Sequence, residues 1–92
     1  MSTLTLQLRL KQDEGALVRL LSVTRRRRFD VLSLKMFPSA DEGFFDVQMT
    51  VRADRSGNSL VRQIEKLVDA SDVQVIELTD PVAEARAAHS GL

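Results

Sequence analysis

The stretch from Asp13 to Met36, DEGALVRLLSVTRRRRFDVLSLKM, constrains the chain most, because its hydrophobic period changes partway along. Leu17, Leu20, Leu21 and Thr24 recur at i, i+3, i+4 and i+7, one stripe of a helix over about Glu14 to Arg26. Asp13 stands where an N-cap is needed, since its carboxylate can accept a backbone N–H two or three residues on. Gly15 and Ala16 keep the first turn small and leave its orphan N–H groups uncovered. Arg25, Arg26, Arg27 and Arg28 put positive charge at the helix C-terminus, where the macrodipole favours it. From Phe29 to Met36 the pattern favours a strand, with Leu32, Leu34 and Met36 expected on one face and Val31, Ser33 and Lys35 on the other. A bare helix start beside a strand end, followed by a return strand, is a place where a small anion can bind.

The flanking segments complete the pattern. Leu4, Leu6, Leu8 and Leu10 alternate with Thr3, Thr5, Gln7 and Arg9, a strand with one buried and one wet face. PSADEG, residues 38–43, has turn composition and reads as a hairpin connection. Phe45, Val47, Met49 and Val51 alternate with Asp46, Gln48, Thr50 and Arg52 in a third strand. Asn58 is expected to cap a second helix whose apolar positions are Leu60, Ile64, Leu67 and Val68. Val73, Val75 and Leu78 make a fourth strand. Residues 1–79 therefore form one α+β domain of order β-α-β-β-α-β, the ferredoxin-like motif. With right-handed crossovers it has a four-stranded antiparallel sheet of order 4-1-3-2, both helices on one face and the second strand at an edge. Residues 80–92 begin Asp-Pro, are rich in alanine and are expected to be a flexible or frayed C-terminal tail.

Composition narrows the chemistry. The 92 residues suffice for one small domain, and 43% hydrophobic with 28% charged residues fits a globular one. A net charge of zero argues against a general polyanion binder, although residues 1–40 carry a net +5 and residues 41–92 a net −5. Without cysteine there is no disulfide, thiolate nucleophile or zinc-thiolate site. No apolar run reaches a membrane span and no signal peptide is visible, so a cytoplasmic location is expected. His89, the single histidine, falls in the expected tail. The adjacent carboxylates Asp13/Glu14 and Asp41/Glu42 read as a cap and a solvated turn, not as an acid/base pair converging on a pocket. RNA-recognition domains share this element order, and Gly43-Phe44-Phe45 is faintly similar to their base-stacking signature. The outward Asp46 and Gln48, and the lack of Tyr and Trp, count against that use.

Three groups of residues carry a family resemblance. They are Glu14-Gly15-Ala16-Leu17 with Arg19, then Arg28-Phe29-Asp30-Val31 through Ser33-Leu34 and Met36, and Gln63 to Asp69 followed by Val73. Together they resemble an ACT domain, most nearly that of the small regulatory subunits of acetohydroxyacid (acetolactate) synthase. Those subunits typically read N-x-x-G-A-L-x-R, then R-G-[YF]-N-[IV]-x-S-L, then Q-I-x-K-L-V-D-V. The likeness covers roughly residues 3–78, and the short chain looks like the type that accompanies the valine-insensitive isozyme.

The resemblance implies a homodimeric subunit with no activity or cofactor of its own. It implies a large catalytic partner that carries thiamine diphosphate, Mg²⁺ and FAD, which this subunit activates and stabilises. That partner would condense pyruvate with pyruvate or 2-oxobutyrate in branched-chain amino-acid biosynthesis. It further implies an amino-acid effector, valine in the sensitive relatives, at the dimer interface. The corresponding effector positions are Gln12, Asp13, Gly15, Ala16 and Leu17 of one copy and Asp30 and Val31 of the other, while Arg25–Arg28 form a candidate docking patch for the catalytic subunit. Gln12 and Asp30 stand where the family often has Asn, and Arg27 where it often has Gly. A free-standing ACT module that senses an amino acid or docks on another enzyme is the neighbouring alternative, and an RNA-binding domain the more distant one.

Overall fold

A computed structural model describes residues 2–79. The elements are β1 (Ser2–Lys11), α1 (Ala16–Arg26), β2 (Asp30–Pro38), β3 (Phe44–Ala53), α2 (Asn58–Glu65) and β4 (Ala70–Thr79). They form one antiparallel sheet of order β2-β3-β1-β4, the expected ferredoxin-like topology with β2 at one edge. Leu4, Leu6, Leu8 and Leu10 are all buried, as their alternation requires, and lie opposite Val51, Met49, Val47 and Phe45 of β3. Leu20 and Val23 of α1 and Leu60 and Ile64 of α2 close over this face. Each fully buried Leu, Ile or Val contributes about 1.5–3 kcal/mol. The other sheet face is polar, and on it the Thr5 and Thr50 hydroxyls share a hydrogen bond of 3.0 Å.

Several local expectations are corrected. Asp13 does not cap α1 with its side chain: the N-cap is Gly15, at φ 84, and the Asp13 carbonyl accepts the Ala16 N–H at 3.1 Å. The helix starts at Ala16, not Glu14, because glycine adopts this left-handed conformation without a side-chain clash. The buried stripe of α1 is Ala16, Leu20, Val23 and Thr24, with Leu17 and Leu21 only half-buried, so the helix is rotated from the expected stripe. Thr24 is accommodated there because its hydroxyl donates to the Leu20 carbonyl at 2.8 Å. At α2 the N-cap is Gly57, not Asn58, whose N–H goes to the Ser56 hydroxyl at 3.3 Å. This helix stops at Glu65, which leaves Val68 outside it and 84% exposed.

In β2 the register slips between Val31 and Ser33. Such a bulge puts two residues opposite one and breaks the alternation. Val31, Leu34 and Met36 therefore pack against the core, while Leu32 is 47% exposed. The residues 80–92 and the expectation of a tail there lie outside the described residues, as does His89. Among the described residues no helix is long and apolar enough to cross a membrane.

The position suited to glycine between α1 and β2 is 28, not 27. Arg27 has φ −86, whereas Arg28 has φ 62. A non-glycine residue held left-handed costs about 1–2 kcal/mol, partly offset by the flexibility glycine adds to the unfolded chain. Arg28→Gly is expected to stabilise the domain by about 0.5–1 kcal/mol. Urea denaturation followed by circular dichroism measures this, and a destabilised variant would mean that the Arg28 side chain holds the turn.

Candidate functional site

The β1–α1 loop is strapped down from three sides. The Gln12 N–H donates to the Gly43 carbonyl at 2.9 Å and its side-chain amide to the Phe44 carbonyl at 3.1 Å. The Lys11 N–H donates to the Asp69 carbonyl at 2.9 Å. The Asp69 carboxylate in turn accepts from Nε of Arg19 at 2.6 Å. Asp69 is only 8% exposed, whereas Arg19 lies at the surface. Its carboxylate holds the Arg19 guanidinium above the usual arginine range, first through the hydrogen bond and then through charge. Arginine is charged at any physiological pH, so this pair fixes geometry and does not switch.

A β-carbon at Gly15 would stand 3.1 Å from Nη1 of Arg19. The guanidinium thus lies over the helix start, held by a residue fifty positions away in sequence. Both Arg19 and Asp69 belong to the sequence motifs noted above, but no pattern within one sequence indicated that they pair. The arrangement leaves the Leu17 N–H without an acceptor among the described residues, and an anion could meet it there.

The proposed effector positions do not come together within one chain. Gln12, Asp13, Gly15, Ala16 and Leu17 cluster at the end of the sheet where Lys11 lies opposite Phe44 and Pro38 opposite Phe45. Asp30 lies at the other end, opposite Arg52, which in turn faces Thr3. The eight residue-to-residue steps from Asp30 to Pro38 separate the two groups by about 26 Å of strand. Asp30 is exposed, but Val31 turns into the sheet, opposite Val51, so its side chain packs on the core.

Arg25, Arg26, Arg27 and Arg28 are all exposed at the C-terminal end of α1, about 16 Å from its start. On the outer surface of α1 a shallow depression runs between Val18, Leu21 and Arg25, and Val18 is 65% exposed. Asp41, expected to be simply solvated, meets Arg9, which also reaches Asp72 at 3.2 Å and Asp46 at 3.9 Å. These are surface pairs and add little stability. Among the described residues no three His, Cys, Asp or Glu side chains converge as metal ligands.

The model of the ACT domain family matches residues 12–73. The acetolactate synthase isozyme 2 small subunit of Escherichia coli strain K12 is 35% identical over 71 residues, which cover 77% of this chain and 82% of that one. Its counterpart in Shigella flexneri matches to the same extent. Among solved structures, the ACT domain from GTP pyrophosphokinase of Chlorobium tepidum superimposes with a TM-score of 0.65 at 10% identity, over 80% of this chain and 96% of that one. Formyltetrahydrofolate deformylase from Burkholderia mallei superimposes with a TM-score of 0.62 at 20% identity, over 85% of this chain and 28% of that one. At these identities the superpositions establish the fold alone.

Proposed function

Because the chain belongs to the ACT domain family, we propose that it is a non-catalytic regulatory subunit that activates and stabilises an acetolactate synthase catalytic subunit in branched-chain amino-acid biosynthesis. The observation that carries this reading is the 35% identity to the isozyme 2 small subunits, over most of both chains. On this reading the chain works in the cytoplasm and the chemistry belongs to the partner, with its thiamine diphosphate, Mg²⁺ and FAD. This chain's part is to bind and to transmit the state of its own interface.

The test is co-expression with the acetolactate synthase catalytic subunit of the same genome, followed by an acetolactate assay. The expected result is no activity from this chain alone and raised turnover of the pair. Equal turnover with and without the chain would overturn the activator role. Replacing Arg25–Arg28 by Gln is expected to weaken association at low salt, with a difference that shrinks as salt screens the charge. Unchanged affinity at low salt would remove this patch from the docking surface.

We also propose a homodimer built through β2 and the outer surface of α1. Among the described residues the outer edge of β2 is unpaired, and an unpaired edge is a template for another strand. The half-exposed apolar strip of α1 around Val18 and Leu21 supports the same contact. Antiparallel pairing of two β2 strands about Leu34 sets Asp30 of each copy against Pro38 of the other, toward the end that holds Gly15. Such pairing is what the effector positions need in order to meet. Val18→Glu is expected to leave the fold intact and shift the dimer toward monomer. Light scattering at high micromolar concentration measures this, and a wild-type chain that is monomeric there would falsify the dimer.

A further inference from the structure

A second concavity lies at the far end of the domain from Gly15. It is a cavity of 550 Å³ between the start of β1, the β3–α2 loop, the first turn of α2 and the second half of β4. Its origin is a mismatch of lengths. The eight residues of α2 span about 12 Å, whereas the ten of β4 run about 33 Å, so α2 leaves the end of β4 uncovered. Val75 and Leu78 of β4 are consequently 47% and 61% exposed and face a space whose opposite walls are Leu4 and Val61. Exposed aliphatic side chains in a concave site of this volume are characteristic of a small-molecule pocket.

The polar rim has both charges. Asp54 and Arg55 line the same cavity, with Arg55 Nε 3.8 Å from the Asp54 carboxylate, a loose contact open to solvent. The first turn of α2 borders the same space, and among the described residues its Ser59 and Leu60 N–H groups have no acceptor. One anionic group, one cationic group and an aliphatic wall together fit a zwitterion with a branched aliphatic tail.

We propose that this cavity binds a free aliphatic 2-amino acid. The ammonium meets Asp54, the carboxylate meets Arg55, and the side chain lies among Leu4, Val61, Val75 and Leu78. The site is separate from the Gln12–Leu17 loop and needs no second copy of the chain, so it stands whether or not the proposed effector site does.

The experiment is titration of the full, ¹⁵N-labelled chain with L-isoleucine into the tens of millimolar, read by amide chemical shifts. The expected result is saturable shifts at residues 54–61 and at Val75 and Leu78. The 2-oxo acid with the same tail, which lacks the ammonium, is expected to bind about tenfold more weakly. Asp54→Asn and Arg55→Gln, both at exposed positions, are each expected to weaken isoleucine binding by about tenfold. Val75→Trp, which fills the space from an exposed position, is expected to abolish it. Absence of saturation, shifts confined to residues 12–17, equal binding of the oxo acid, or unchanged binding in the folded variants would each overturn the assignment. Shifts at residues 12–17 alone would still leave the effector site of the regulatory reading in place.

Discussion

Phe29→Ala is expected to destabilise the domain by about 3–5 kcal/mol, the range for removal of a fully buried aromatic side chain. Phe29 is 1% exposed and is the largest wholly buried side chain among the described residues. It lies in neither α1 nor β2 but in the turn between them. Its N–H donates to the Thr24 carbonyl at 3.1 Å, and the left-handed Arg28 before it swings the chain so that the ring enters the core. The cost has two parts, the transfer of the ring to water and the cavity left among residues that β1 and β3 hold in place. Domains of this size have total stabilities of about 5–10 kcal/mol, so the variant is expected to be partly unfolded at 37 °C. Urea denaturation monitored by circular dichroism measures the loss. A loss under about 1 kcal/mol would show that the ring contributes little and that the turn tolerates collapse.

Phe29 also illustrates what one sequence can and cannot reveal. The even alternation of Leu4 to Leu10 located a central strand because every second residue faces the same core. The same rule failed in β2, where the bulge after Val31 exchanged the roles of Val31 and Leu32. It was also weak in β4, where the pairing with β1 slips between Thr5 and Leu6 and again between Gln7 and Arg9. A slip of one residue moves every following side chain to the opposite face, so periodicity alone cannot follow a strand through it. The helix caps depart from expectation for a different reason. Asp13 and Asn58 have the right chemistry, but glycines beside them took the positions, and at Gly15 the backbone needed a positive φ.

The candidate site was legible as a location and not as a mechanism. Small residues mark a helix start near Gly15 to Leu17; the helix begins at Ala16 with Gly15 as its N-cap, and the Arg19 guanidinium lies over it. No sequence pattern marks the Arg19–Asp69 pair that holds it, because it joins α1 to the turn before β4 and depends on the tertiary fold. The resemblance groups Asp30 and Val31 with the loop, whereas within one chain they lie at the opposite end of the sheet. In the proposed dimer, a second copy pairing along β2 brings Asp30 to it.

That geometry sets the last expected result: the wild-type chain binds valine weakly or not at all at the Gly15 loop, and Asp30→Asn improves binding. In the proposed dimer a valine carboxylate meets the N–H groups at the start of α1, where the helix dipole also favours it. Asp30 of the partner subunit then approaches the ligand. Where it faces the carboxylate, a like-charge contact at about 4 Å costs on the order of 4 kcal/mol at an effective dielectric of about 20. Burying the valine side chain gains about 1.5–3 kcal/mol, less than that cost. Arg52, opposite Asp30 across the β2–β3 ladder, sits within reach to soften the repulsion, and no ion pair between them forms among the described residues. Removing the charge while keeping the carboxylate's shape is therefore expected to tighten valine binding by about tenfold or more, at 1.4 kcal/mol per decade. Calorimetry with millimolar valine on the wild type and on Asp30→Asn decides the matter. Tight binding by the wild type, lost in the Asn variant, would reverse the assignment and make Asp30 the acceptor for the ligand ammonium.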